Sequence, residues 1–322
     1  MHECFVLHKV YQAITSIVQV PQGMLLMEKK ELLIYIDGKY CPKSEAKISV
    51  YDHGFLYGDG VFEGIRAYNG SVFKLREHID RLYASARAIM LEIPMTKEEM
   101  TKAVIETLKI NKLNDAYIRL VISRGPGDLG LDPRKCPRST TIIITDRIKL
   151  HGGGAKEEGL TAIISWVKRD PVDATTHEVK SLNYLNSILA KIEANSAGVD
   201  EAICLNKEGF VCEGVAENVF IVSEEVVLTP PTSTGALRGI TRKVAVEIAQ
   251  KLGYQVVKKE ITPTDLFLAD EVFFTGTAAE IVPVREINKR KIADGKPGPV
   301  TRKLIDEYHK LVNDPKQGVP IR

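Results

Sequence analysis

Cysteine is scarce in this chain. Five occur in 322 residues, at Cys4, Cys41, Cys136, Cys204 and Cys212, and no two are spaced as CxxC. A low, odd count argues against a disulfide framework and predicts a reducing, cytoplasmic compartment. Seven histidines are scattered without a zinc-binding spacing. An excess of one charge is missing as well: 44 Lys plus Arg stand against 42 Asp plus Glu. That balance argues against a nucleic-acid coat or a basic membrane patch, while leaving room for a small basic pocket. A long apolar run is also lacking. The first thirty residues hold apolar side chains but no clean apolar core ahead of a small-residue cleavage site, so neither a signal peptide nor a span is expected. Met24 and Met27 lie directly before the first predicted strand, and residues 1–30 read as an N-terminal extension. Repeats, low-complexity tracts and coiled-coil heptads are absent.

What remains is an ordinary globular composition, 44% hydrophobic and 27% charged, long enough for one large domain or two smaller ones. Residues 32–37 (LLIYID) predict a strand turned by Gly38, and residues 48–51 a shorter extended piece. The segment DHGFLYGDGVFEGIRAYNG is glycine-rich, which predicts tight turns and close backbone approach. From residue 74 the period changes: Leu75, Ile79, Leu82, Ala86 and Ile89 define an amphipathic helix ended by Pro94. Thr96 and Glu99 form a capping box for the next helix. Strands follow at 117–123 and 140–145, then a polar segment, 146–158, with three successive glycines that reads as a linker.

The second half restarts with a strand at 160–167. A helix after Lys180, strands at 201–206 and 210–212, and a hairpin of 218–222 with 226–229 come next. Gly239 opens a helix with Ile240, Val244, Ile248 and Leu252, closed by Gly253, and a strand at 271–274 stops at Thr275 and Gly276. Short strands, hairpins and helices in both halves make an α+β chain.

Four places carry candidate chemistry. Lys180 stands before a helix for which Ser181 or Asn183 is a plausible cap. The positive end of a helix disfavours an ammonium, and a deprotonated amine is the form an imine-forming lysine needs. Glu213 and Glu217 lie among Val211, Cys212, Val215 and Ala216, where a carboxylate requires a partner. That partner is either a salt bridge or turn, or a heteroaromatic nitrogen. LRGITRK (237–243) is either a plain helix start or an anion site of backbone N–H groups and a threonine hydroxyl. TGTAAE (275–280) is either a tight turn or a nest for a carboxylate. Arg81 on its helix, and Arg119 sharing one strand face with Tyr117, stand ready to complete an anion pocket. A ring nitrogen, a phosphate and an amino acid fit this inventory, as pyridoxal phosphate would.

At DHGFLYGDGVFEGIR, REHIDRLYASA, AYIR, GDLGLDPRKC, VKSLNYLN, EGVAENVF, LRGITR and ADEVFFTGTAAEIVPV the chain resembles branched-chain amino acid aminotransferases, fold-type IV pyridoxal-phosphate enzymes, over roughly residues 32–320, with the archaeal and thermophilic forms nearest. The resemblance implies an α+β, two-domain fold of the D-amino acid aminotransferase type, each domain a mixed or barrel-like sheet with flanking helices. Its parts would be an extension (1–30), a small domain (31–147), an interdomain loop (148–158) and a larger domain (159–322). It implies that Lys180 holds the cofactor, Glu213 bonds the pyridine nitrogen and Tyr184 bonds O3′. Arg81, Ile240, Thr241 and Thr277 would form the phosphate cup. Thr277 and Ala278 would take the substrate α-carboxylate, and Phe62, Tyr57, Tyr117 and Arg119 the side chain. Tyr184 follows the lysine by four residues, where well-known bacterial and vertebrate members have five. Many members carry an aromatic PWG segment in the interdomain loop; here RIKLHGGG, with Leu150 and His151, stands instead, so a shifted or broadened side-chain preference is expected. A homo-oligomer, at least a dimer and up to a hexamer, acting on small amino and 2-oxo acids in the cytoplasm is implied. D-amino acid aminotransferases and aminodeoxychorismate lyases share the lysine and the acid, and a non-catalytic homologue is the remaining rival class.

Overall fold

The central strand β3 (Gly60–Tyr68) runs through the glycine-rich segment, and the geometry of the site grows from it. The computed structural model describes residues 31–147, 155–175 and 177–322; the N-terminal extension and the loop with Leu150 and His151 lie outside the described residues. Residues Leu32–Arg322 form one compact unit. The first sheet holds β1 (Leu33–Ile36), β2 (Lys39–Pro42), β3, β4 (Ser71–Phe73), β5 (Ala116–Ser123), β6 (Thr140–Asp146) and β16 (Gly318–Pro320), in the order β16-β4-β3-β5-β6-β1-β2. The last strand of the chain therefore completes the sheet built by the first half. Every pair in this sheet is antiparallel.

The second sheet is mixed. It holds β7 (Leu160–Lys168), β8 (Glu201–Leu205), β9 (Val211–Gly214), β10 (Asn218–Ser223), β11 (Val226–Thr229), β12 (Val256–Lys258), β13 (Glu271–Gly276), β14 (Glu280–Ile287) and β15 (Arg290–Lys291). Its order is β12-β11-β10-β13-β14-β7-β8-β9, with β15 on β14, and β9 also pairs β10 through Glu213 and Asn218. That extra pairing curls the sheet towards a barrel, and its interior is filled by Ile203, Val219, Ile221, Val272 and Phe274. Helices flank both sheets: α1 (His53–Tyr57), α2 (Leu75–Ala88), α3 (Lys97–Ile110), α4 (Ala155–Glu158), α5 (Leu185–Ser196), α6 (Ile240–Lys251), α7 (Pro263–Leu268) and α8 (Pro299–Val312). The α+β expectation therefore holds, barrel-like sheet included.

Several local expectations are corrected. The glycine-rich segment does not turn repeatedly; it forms α1, capped by Asp52, and then nine residues of strand. Close approach is the part of that expectation that survives. A Cβ on Gly64 would lie 2.1 Å from the Tyr117 hydroxyl oxygen, and one on Gly60 would lie 2.6 Å from the Ile122 carbonyl. Residues 48–51 are irregular rather than extended. Helix α2 stops at Ala88 rather than near Pro94, because Met90 adopts the left-handed region at φ 51° and turns the chain out. The capping box of Thr96 and Glu99 and the left-handed Gly253 after α6 are present. Helix α5 starts at Leu185 with Tyr184 as N-cap, and neither Ser181 nor Asn183 caps it. The segment before α5 is instead held by β3, which fixes where the helix begins.

One side of β3 faces α2, and Val61, Ile65 and Ala67 pack there with Ile79 and Leu82. Glu63 stands in the same row and is fully buried. Its carboxylate accepts from Arg81 Nε at 2.7 Å, Arg81 Nη2 at 2.8 Å and His78 Nδ1 at 2.7 Å, all on α2. Burial alone would raise this carboxyl, but the Arg81 charge and the three hydrogen bonds outweigh it and hold it at about 2. Because the folded value lies below the ordinary 4.5, Glu63 contributes stability above that pH and loses it as the pH falls towards about 2. The contribution at neutral pH is about 3 kcal/mol. Urea unfolding of the parent and Glu63→Gln should therefore differ most at neutral pH, begin to converge below 4.5 and meet only near about 2. A difference independent of pH would contradict this assignment.

Candidate active site

Lys180 lies on a strand-like segment laid against β3, not at the start of a helix. Its carbonyl accepts from Phe62 N at 3.0 Å, Leu182 N donates to the Gly60 carbonyl at 2.9 Å, and Ser181 bridges Val61. Lys180 N also donates to Ser85 Oγ on α2 at 3.2 Å. The helix-dipole argument for this lysine therefore fails, since α5 begins only at Leu185. What distinguishes Lys180 is the direction of its side chain. Nζ reaches Tyr184 Oη at 3.0 Å and sits 4.5 Å from the Phe62 ring centroid. The Tyr184 ring packs edge-on against Phe62, centroids 5.0 Å apart, and against His177 at 6.1 Å. An interval of four positions from lysine to tyrosine thus suffices to bring the two polar ends together. His177 is tied to Asp170 at 3.1 Å; burial, aided by the nearby Arg169 charge, lowers its imidazole to about 4.

Lys180, Tyr184 and Phe62 line a cavity of about 400 Å³ between the two sheets. Glu213 stands at its edge on β9, its carboxylate buried. Burial raises the carboxyl, and Arg169 is the strongest opposing influence. Arg169 Nη2 lies 3.3 Å from Glu213 Oε1 and donates to the Gly214 carbonyl at 2.6 Å. Its Nη1 donates to Asn186 Oδ1 and Ser187 Oγ, both at 3.0 Å. The second oxygen of Glu213 accepts from Leu237 N at 2.9 Å and Asn218 Nδ2 at 3.2 Å. Sequence reasoning missed Arg169 and Asn218. The first was within reach: β7 buries Ser165 and Val167, and Arg169 is next in that alternation.

Glu217 faces the cavity as well, with its carboxyl pushed up to about 8 by burial and then by the neighbouring Glu201 charge. It keeps the connection after β13 close: a Cβ on Gly276 would meet Glu217 Cγ at 3.0 Å.

Another part of the cavity wall forms a cradle with the chemistry to hold an anion. Arg81, Gly239, Ile240 and Thr241 line it, and α6 begins at Ile240. Arg81 Nη1 donates to the Arg238 carbonyl at 3.0 Å, and Asn218 Nδ2 to the Leu237 carbonyl at 2.9 Å. The turn 237–239 is thus held from two sides. Only glycine fits at 239, where a Cβ would lie 2.0 Å from Asn218 Oδ1. The first-turn N–H groups of α6 carry the positive end of the helix dipole.

Thr277 and Ala278 form the tight connection between β13 and β14 and also line the cavity. Glu280, the first residue of β14, has φ 63°, a left-handed conformation costing on the order of 1–3 kcal/mol for a non-glycine residue. Its carboxylate accepts from Arg66 Nη1 at 2.7 Å, Tyr68 Oη at 2.9 Å and His309 Nε2 at 3.2 Å, and Arg66 Nη1 also donates to the Ala278 carbonyl at 3.3 Å. This network fixes the turn, and nothing in the local sequence pairs Arg66 with a residue 214 positions away. Thr275 Oγ1, buried without a hydrogen-bond partner among the described residues, adds a polar atom beside the cavity.

Tyr117 and Arg119 share a face of β5, as expected, with Arg119 Nη2 donating to Tyr117 Oη at 3.2 Å. The Arg119 guanidinium stacks on Phe62 at 4.5 Å. Tyr57 is not brought to the cavity of this chain. It sits on α1, half-exposed, with its hydroxyl on the Leu129 carbonyl at 2.5 Å. Among the described residues no group of three His, Cys, Asp or Glu is arranged to hold a metal ion.

The comparisons with known proteins agree with this geometry. Residues 60–287 match the family model described as amino-transferase class IV. A putative branched-chain-amino-acid aminotransferase of Methanocaldococcus jannaschii is 55% identical over 275 residues, 85% of this chain and 94% of the relative. The crystal structure of the Escherichia coli branched-chain amino acid aminotransferase superimposes with TM-score 0.88 at 33% identity, covering 91% of this chain and 100% of that one. The branched-chain amino acid aminotransferase of Thermobaculum terrenum, crystallised in its PLP form, gives TM-score 0.82 at 29% identity, over 91% and 99% of the two chains. A family match across most of the chain, on a fold that gathers lysine, acid and anion cradle around one cavity, shows that this protein belongs to the class IV amino-transferases.

Proposed function

We propose that the protein transfers amino groups between L-leucine, L-isoleucine or L-valine and 2-oxoglutarate, with pyridoxal 5′-phosphate as cofactor. The observation that carries the substrate class is the lone guanidinium of Arg119. It stands over Phe62 in a cavity also lined by Val121 and Leu182, and has no ion-pair partner among the described residues. Apolar walls suit a branched aliphatic chain, and an arginine held on an aromatic face suits the side-chain carboxylate of glutamate.

The residues fit the cofactor. Lys180 would hold it, Tyr184 would hydrogen-bond its O3′, and Glu213 would bond the ring nitrogen. Arg81 with the α6 start at Ile240 and Thr241, and Thr277, would take the phosphate, the group that the cradle and helix dipole favour. When bound, pyridoxal phosphate supplies an electron sink for the substrate α-carbon. Lys180 Nζ would be the base that takes the proton from the substrate α-carbon and, as the ammonium, the acid that delivers it to the cofactor carbon, with Tyr184 Oη orienting it. Arg169 lies 3.3 Å from Glu213 and favours its anionic form, and in that form Glu213 would hold a protonated ring nitrogen. Backbone N–H groups at Thr277 and Ala278 receive the α-carboxylate, while Phe62 and Leu182 exclude water.

We keep residues 31–147 and 159–322 as the working domain division and a cytoplasmic setting as the compartment. No helix among the described residues is long and apolar enough to cross a membrane. For the assembly we propose a homo-oligomer, at least a dimer. Helix α5 exposes Leu185, Ile188, Leu189 and Ile192 at helical spacing, with Trp166 on β7 74% exposed. A second apolar face at Phe55, Leu129 and Leu131 lies around α1 and the loop after β5. Exposed apolar area of this kind favours burial between copies, in at least a dimer.

Lys180→Ala should remove the visible absorption band of the lysine-linked cofactor and lower turnover at least about 1000-fold; retention of both would exclude this lysine. Arg119→Met should raise KM for 2-oxoglutarate and glutamate by about 10–100-fold and leave that for L-leucine within about 3-fold. Equal losses on both substrates would contradict the split role. A panel that includes D-alanine separates the rival D-amino acid chemistry. Ile188→Glu with Ile192→Glu should lower the oligomeric mass measured by light scattering; an unchanged mass would refute the α5 contact.

A further inference from the structure

We infer that Glu63 is a positioning residue for the phosphate-binding end of the cavity, acting through Arg81. This rests on the cofactor reading above. Glu63 is an anomaly of placement: it stands in the core row of β3 with Val61, Ile65 and Ala67, fully buried. An apolar residue there would hold β3 to α2 without the cost of burying a charge. The carboxylate makes sense through what it does to Arg81. A guanidinium has five N–H donors in one plane. Glu63 takes Nε–H and one Nη2–H in a two-point grip, at 2.7 and 2.8 Å. The Arg238 carbonyl takes one Nη1–H at 3.0 Å. Three donors are spent on fixing the plane, and one N–H each on Nη1 and Nη2 remains. Arg81 lines the cavity beside Gly239, Ile240 and Thr241, so the two remaining donors belong to the cradle.

His78 completes the device. Its ring is fully buried, and its Nδ1 lies 2.7 Å from Glu63 Oε2. It supports the same carboxylate oxygen that Arg81 Nη2 grips, and so limits rotation of the carboxylate. The grip also ties the cradle to Lys180. Arg81 and Ser85 are one helical turn apart on α2, and Ser85 Oγ accepts the Lys180 backbone N–H. Glu63 thereby sets the distance between the phosphate end and the lysine without touching either ligand end.

The test uses the full-length protein loaded with pyridoxal phosphate or with pyridoxal, which lacks the phosphate. Release on dilution is followed by absorbance, and inorganic phosphate is titrated as a competitor. Glu63→Gln should weaken retention of pyridoxal phosphate by about 10–100-fold and change that of pyridoxal by less than about 3-fold, because only the phosphate contact depends on the grip. In an Arg81→Met background, adding Glu63→Gln should change retention of pyridoxal phosphate by less than about 3-fold. Equal losses for both ligands, or independent losses that multiply in the double variant, would overturn the inference. If Glu63→Gln does not fold, Glu63→Asp keeps the charge and displaces it, and the same phosphate-selective loss is expected; equal losses would again overturn it. Failure of the parent protein to retain either ligand would instead refute the cofactor reading.

Discussion

Two buried carboxylates set the terms for the rest of this structure. Glu213 and Glu63 are both out of water, and a buried anion must be compensated where it stands. Each is met by an arginine, Arg169 in one case and Arg81 in the other. Each arginine reaches further, to the Gly214 and Arg238 carbonyls respectively. The two systems meet at the turn 237–239, because Glu213 accepts from Leu237 N while Arg81 donates to Arg238. The surroundings of the two carboxylates are in this way linked through one short turn.

The directions of the two carboxyls differ for a physical reason. Glu63 receives a two-point arginine grip and a histidine bond, and is held low. Glu213 meets its arginine at 3.3 Å without a two-point grip: Arg169 Nη1 and Nη2 donate to Asn186, Ser187 and Gly214, and its buried Nε has no hydrogen-bond partner among the described residues. Burial then prevails, and the carboxyl is raised. An acid so poised is stabilised as an anion by any cation placed before it, which is what a protonated ring nitrogen offers. The weaker compensation leaves Glu213 able to gain from a further cation, while the stronger one makes Glu63, Arg81 and His78 a self-contained unit.

Close approach is the second recurring device. Gly64 makes room for the Tyr117 hydroxyl, Gly239 for the Asn218 side chain and Gly276 for Glu217. None of these three needs positive φ; at each, a Cβ would press on a neighbouring side chain and make it shift. The opposite case is Glu280, which accepts a left-handed backbone and is held there by Arg66, Tyr68 and His309. The connection at Thr277 and Ala278 is therefore set from the first sheet as well as from its own hairpin.

Much of this was legible in the residues. Alternation placed β5, β6 and β7, helical periodicity placed α2 and α6, and the capping box placed α3. The grouping of Lys180 with Glu213, Arg81 and the segments 237–243 and 275–280 came from residue type and family resemblance; Lys180, Arg81 and both segments line one cavity, and Glu213 bonds Asn218 and Leu237 in its wall. These features are local: a period, a cap or a motif is written in a few adjacent residues. The tertiary structure alone decided that Lys180 is carried by β3 rather than by a helix start, that Tyr57 lies outside this chain's cavity, and that Arg169, Asn218 and Arg66 support the site. Each of those depends on a partner far along the chain. The energy of a buried charge is set by what surrounds it in space, and sequence neighbours do not report that.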